Sequence, residues 1–170
     1  IGLEAIQALA AYDHHFEVIE QNVLLTYGDQ QRIASMKGVP NEYMSRTKLD
    51  STIYIGSDVL QDDARSYAVL GYKVMQDLDA GPYYETLRPL TIHAARRGKK
   101  ISRSKEKAFR SEPIPIGGGF SINMEYDTKF LLVPISFART LMEYNTECNS
   151  IEVNCRKGID VEEFRRSVAS

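Results

Sequence analysis

Eight of the 21 lysines and arginines fall between residues 96 and 110: Arg96, Arg97, Lys99, Lys100, Arg103, Lys105, Lys107 and Arg110, with Glu106 the one acid among them. That leaves 13 basic against 22 acidic residues in the rest of the chain. Charge gathered in this way fits contact with phosphate or nucleic acid, with anionic lipid, or with an acidic partner. The plain alternative is a solvated hairpin tip. No aromatic side chain interleaves residues 96–107, and the net-negative remainder would repel a nucleic-acid backbone, so nucleic acid is not the expected partner.

Other groupings offer less. Gly117-Gly118-Gly119 lacks the G-K-[ST] ending of a phosphate loop, and the G-x-G-x-x-G spacing fails at Ile122. Three glycines ahead of a strand are instead expected to permit a bulge or a close backbone approach. His14 and His15 are adjacent, so in extended chain they point to opposite faces and share no ligand; His93 stands alone. If the segment around Cys148 and Cys155 is a strand, seven residues at about 3.3 Å put their α-carbons roughly 20 Å apart, beyond disulfide reach. Asp62-Asp63 and Glu162-Glu163 sit in hydrophilic surroundings, as solvated surface carboxylates do. No catalytic motif is present, so neither an enzyme nor a cofactor or metal is expected.

The chain that must position these residues has 170 residues, 43% hydrophobic and 26% charged, with net charge -2. This is one domain or two small lobes with a usable core. Residues 2–10 read as a short helix. Residues 16–27 and 32–39 read as a hairpin turned at Gly28-Asp29-Gln30-Gln31. An extended piece follows at 50–56, a helix at 68–78 on the spacing of Val69, Leu70, Val74, Met75 and Leu78, and a strand at 88–95. Phe120, Ile122, Met124 and Tyr126 alternate with polar residues and predict a second hairpin, turned at Asp127-Thr128 into 130–133. Pro134 opens a helix carrying Phe137, Ala138, Leu141 and Met142. A strand at 150–155 then leads to a last helix with Asp160 as N-cap and Glu163 three residues on. The longest apolar run, around 130–135, is far below the ~20 residues needed to cross a bilayer. With neither initiator Met nor leader at Ile1, the sequence reads as an excised fragment.

Several segments, in order, resemble one family. They are Tyr67-Ala68-Val69-Leu70-Gly71 before a helix, Arg88-Pro89-Leu90-Thr91-Ile92, Arg97-Gly98-Lys99-Lys100, and Gly119-Phe120-Ser121-Ile122 with Tyr126-Asp127. The last is Val133-Pro134-Ile135-Ser136-Phe137-Ala138-Arg139 followed by a strand. Together they resemble the extracytoplasmic, MacB-like core domain of FtsX/MacB-type ABC transporter permeases, in particular lipoprotein-releasing-system permeases of Bacteroidetes-like bacteria. The resemblance runs from about Lys37 to the C terminus.

The resemblance implies an α+β fold of two lobes: a porter-like βαβ lobe from residues 1–85 and 130–170, and an inserted β-rich, sabre-like lobe from 86–129. It also implies that a strand preceding Ile1 completes the sheet. The domain would sit on the periplasmic side of the bacterial inner membrane, between the first and second of four transmembrane helices of the same parent chain. A separate ATPase subunit or domain and a second permease copy would be its partners. Its task would be to transmit ATP-driven motion to lipoprotein release or periplasmic cargo export, with a lipoprotein or periplasmic carrier as a further partner. Export of a peptide or drug, and regulation of cell-wall hydrolases, are served by related permeases. An independent anion- or nucleic-acid-binding module using residues 96–110 is the alternative from another class. In one lipoprotein-releasing permease the connection between the helix opened here by Pro134 and the next strand is extended into a carrier-gripping hook. Here that connection is short and proline-free, and Tyr144, Asn145, Thr146, Glu147 and Asn149 are its candidate contact residues.

Overall fold

The computed structural model describes residues 2–96 and 108–170. A short helix α1 (Leu3–Gln7) leads into β1 (Tyr12–Tyr27), which forms the expected hairpin with β2 (Gln30–Val39). The register runs from Tyr27 opposite Gln30 to Ile19 opposite Gly38. Gly28 takes the positive φ of 57° that a two-residue turn requires. β1 begins four residues earlier than its strand-forming run suggests and takes in the histidine pair.

On one side of the hairpin, β8 (Phe130–Pro134) lies parallel to β2 and β4 (Ala68–Gly71) runs antiparallel to β8. Next comes β7 (Ile116–Phe120), parallel to β4, and β3 (Ile53–Gly56) closes that side antiparallel to β7. On the other side, β5 (Leu90–Ala95) pairs with residues 24–26 of β1, and β6 (Phe109–Ile114) pairs with β5. β9 (Ser150–Cys155) pairs with the first half of β1, Tyr12 opposite Cys155. The described residues thus form a nine-stranded mixed sheet. Its helices are α2 (Tyr43–Arg46), α3 (Tyr72–Asp77), α4 (Tyr83–Thr86), α5 (Met124–Lys129), α6 (Ile135–Met142) and α7 (Val161–Ala169). The class is α+β.

Alternation along the strands divides the core in two. In β8, Leu131 and Val133 join one apolar cluster while Phe130 and Leu132 join the other, so the clusters lie on opposite faces of the sheet. The larger is covered by Val74, Met75 and Leu78 from α3 and its end, and by Ala138, Leu141 and Met142 of α6. The smaller is covered by Tyr43 and Met44 of α2 and by Leu60. β1 serves both: Phe16 and Val18 face the smaller cluster, while Ile19, Val23, Leu25 and Tyr27 face the larger.

Two sequence expectations are corrected. Residues 68–71 are strand, not helix: Ala68, Val69 and Leu70 are fully buried, and a short apolar run buried on both faces looks alike in either conformation. The hairpin over 120–133 does not form either. Asn123 caps α5 by accepting the Tyr126 backbone N–H at 3.0 Å. Buried Asp127 accepts the Ile122 N–H at 2.7 Å and the Ser121 hydroxyl at 3.0 Å. These side-chain bonds offer the backbone a helical alternative to a ladder. The alternating Ile122, Met124 and Tyr126 are consequently exposed, and β8 pairs with β2 and β4, not β7.

Candidate partner interface

The connection from α6 to β9, residues 143–149, turns where Glu143 takes a left-handed φ of 57°. Tyr144 and Cys148 pack against the larger core cluster, so two anchors hold the loop down. Arg139 of α6 fastens its middle, donating to the carbonyls of Thr146 at 3.0 Å and Glu147 at 3.2 Å, and to the Glu17 carboxylate of β1 at 3.2 Å. The Asn145 backbone N–H donates to the Glu147 carboxylate at 2.6 Å. Asn149 imitates a strand residue: its carboxamide accepts the Glu20 N–H at 2.8 Å and donates to the Glu20 carbonyl at 2.9 Å. The five candidate contact residues are thereby brought together on one firm, polar turn. Asn145, Thr146, Glu147 and Asn149 are exposed and Tyr144 is half-buried. The turn lacks an exposed aromatic or arginine of the kind that dominates interface energetics.

Of the basic candidates, Arg96 is described; its backbone N–H donates to the Ala108 carbonyl at 2.9 Å. Arg97, Lys99, Lys100, Arg103, Lys105 and Lys107 lie outside the described residues. Arg110 is committed to ion pairs with Glu143 at 2.7 Å and Glu112 at 3.8 Å, tying β6 to the end of α6.

A buried ionic group escaped the sequence reading. Lys37 of β2 pairs with Glu152 of β9, lies 3.3 Å from the Tyr43 hydroxyl, and sits 5.4 Å from the centre of the Phe130 ring. The Tyr43 hydroxyl donates to Glu152 at 2.7 Å. Burial, reinforced by the Glu152 carboxylate, pushes the Tyr43 hydroxyl far above its usual range. The one available signal was a lysine where β2 should bury an apolar residue. Its partner, 115 positions on in the chain, gave none.

A cleft of about 660 Å³ at the end of β3 was equally hidden. It lies between Gly56, Val59, Tyr67, Tyr83, Tyr84 and Ile116, drawn from separate segments. Asp62 and Arg65 stand at its side. Backbone N–H groups of Arg65 and Ala64, with the Tyr67 hydroxyl, hold the Asp62 carboxyl below the usual carboxylate range. The glycine run explains the approach of β3: a Cβ on Gly118 would stand 2.4 Å from the Ser57 carbonyl oxygen.

Among the described residues no three His, Cys, Asp or Glu side chains gather as a metal site, and Cys148 and Cys155 are free thiols. His14 bonds to Asp13 at 2.7 Å and His15 to the Tyr12 hydroxyl at 2.7 Å, so the two histidines keep separate partners.

No protein-family model and no curated protein matches this sequence. Solved structures do match its fold. The periplasmic region of MacB from Actinobacillus actinomycetemcomitans superposes with TM-score 0.57 and 13% identity, over 97% of this chain and 68% of that one. The extracellular domain of the ABC-type transporter YknZ from Gram-positive bacteria gives 0.61 and 11%, over 95% and 74%. This chain has the MacB-like periplasmic fold. A domain described as that of a permease from Porphyromonas gingivalis, at 0.52 and 14% over 98% and 66%, shares it. No described helix in this MacB-like chain is long and apolar enough to cross a membrane.

Proposed function

We propose that this chain is the extracytoplasmic domain of an ABC transporter permease, and that it couples ATP-driven motion of transmembrane helices to lipoprotein release or export of a periplasmic cargo. The observation that carries this reading is fold likeness to MacB and YknZ domains across nearly the whole chain. Strand pairing supports it. Tyr12 lies opposite Cys155, so α1 and α7 leave the sheet at one place, as a domain set between two membrane helices requires.

In this reading the domain is a lever that moves between two rigid-body positions, not a catalyst. The two-lobe division belongs to the same proposal: residues 1–85 and 130–170 form the membrane-side lobe, and 86–129 the inserted one. The support for this division is that β5 and β6 follow one another at the end of the strand order, β5 on residues 24–26 of β1 and β6 on β5. The partners are the parent's own membrane helices, an ATPase subunit or domain, a second permease copy, and a lipoprotein or periplasmic carrier. The turn at 143–149 is the proposed carrier contact, and its firm anchoring by Arg139 and Asn149 supports a pre-shaped surface.

Hydropathy of the parent reading frame tests this directly. One apolar segment of about 20 residues before residue 1, and about three after residue 170, are expected. Hydrophilic flanks would overturn the assignment and bring residues 96–110 forward as the site of an anion-binding module.

A further inference from the structure

β3 ends the sheet. Among the described residues it pairs with β7 alone, and its outer edge has no strand partner. Such an edge presents backbone N–H and C=O groups at a spacing that an extended polypeptide satisfies and a helix or compact ligand does not.

The edge runs into the tyrosine-lined cleft at its C-terminal end, which has the volume of a ligand site and room for a large side chain. Tyr84 is 65% exposed and Val59 45%, so both are open to a visitor. Tyr54 extends the aromatic surface along β3, standing 5.2 Å from Tyr72 in an edge-to-face pair. The glycines of β7 leave room for these rings: a Cβ on Gly117 would lie 3.0 Å from Tyr67, and one on Gly119 2.9 Å from Tyr54. Tyr67, Tyr83 and Tyr84 thus line the cleft, while Tyr54 of β3 lies over Gly119 of β7. Tyrosine supplies large apolar contact with a polar tip at low conformational cost, which suits interfaces.

Charge narrows the visitor. Asp50, Asp58, Asp62 and Asp63 lie within residues 50–63, which contain no lysine or arginine. Arg65, the cation lining the cleft, lies 6.0 Å over the ring of Tyr83.

We propose that the outer edge of β3 receives an extended, basic peptide segment as an added strand, with one aromatic or apolar side chain seated among Tyr67, Tyr83 and Tyr84. The site needs only the edge and the cleft, and so stands apart from the transport reading.

The test is a titration of the isotope-labelled 170-residue chain with a blocked heptapeptide that alternates lysine and valine around a central phenylalanine. Saturable amide shifts and slowed hydrogen exchange over residues 53–57 are expected, with binding that weakens as salt rises. Tyr84→Ala should weaken binding about tenfold, the order seen for truncating an interface anchor. Val59→Lys should weaken it as well; both positions are exposed enough for the variants to fold, which their unchanged spectra would verify. Four results would each overturn the proposal: no shifts, shifts confined to another surface, equal binding of the glutamate analogue, or sedimentation showing that a second copy of this chain occupies the β3 edge.

Discussion

β9 and β3 flank the same sheet and are held in opposite ways. β9 is fastened by side chains: the Lys37–Glu152 pair under the Tyr43 hydroxyl, the Asn149 carboxamide on the Glu20 backbone, and Arg139 across the preceding turn. β3 is held by the absence of side chains, its backbone lying close against Gly118 with its outer edge unpaired. Each strand has one strand partner among the described residues, so side chains fix β9 beyond its pairing with β1, whereas β3 relies on close backbone approach to β7. One fold thus holds a polar turn fixed by side chains and a strand seated on glycines.

Breaking the fastened flank should produce the largest effect. Glu152→Ala leaves the lysine of Lys37, only 10% exposed, without its counter-charge and should cost about 3 kcal/mol in denaturant melts. Lys37→Met with Glu152→Gln should cost far less, because replacing both charges removes the desolvation penalty along with the attraction. Equal losses in the two variants would mean that packing, not charge, fixes β9.

Next in size is the glycine seat. Gly118→Ala should cost about 1–3 kcal/mol by overpacking and should loosen β3, read as faster exchange at residues 53–57 with β9 unchanged. A change spreading equally to both flanks would erase the contrast. Arg139→Ala should be milder, about 1 kcal/mol, with faster amide exchange in residues 144–147 as its signature.

The smallest effects are those of pH, and their signs differ between the flanks. Burial raises the Tyr43 hydroxyl, so the unfolded chain releases this proton first. The contribution of this hydroxyl is fully present below pH 10 and is lost as pH rises above it. Asp62, by the β3 cleft, is lowered by its hydrogen bonds. Its contribution is present above the ordinary carboxylate range and is lost as pH falls through the depressed value. Melts from acid to alkaline pH, compared with Tyr43→Phe and Asp62→Asn, separate the two.

What the sequence made legible followed from local rules. Gly28 marked the β1–β2 turn, Asp160 does cap α7 by accepting the Glu162 N–H at 2.8 Å, and the stripe of Ala138, Leu141 and Met142 is the buried face of α6. Local rules failed where two conformations share a pattern, as at Ala68–Gly71, or where a side chain redirected the backbone, as Asn123 and Asp127 do between β7 and β8. The candidate connection, Tyr144 to Ser150, could be chosen because it is continuous in sequence. The Lys37–Glu152 pair and the β3 cleft could not, because their residues meet only through sheet pairing.

The proposed function puts this domain outside a membrane that its parent would cross. It is tested most directly by placing a cysteine at exposed Asn145 in the full-length parent, with Cys148 and Cys155 changed to serine, and treating cells whose outer barrier is opened with a membrane-impermeant maleimide. Labelling of Asn145→Cys is expected while the inner membrane is intact; labelling only after that membrane is broken would overturn the proposal.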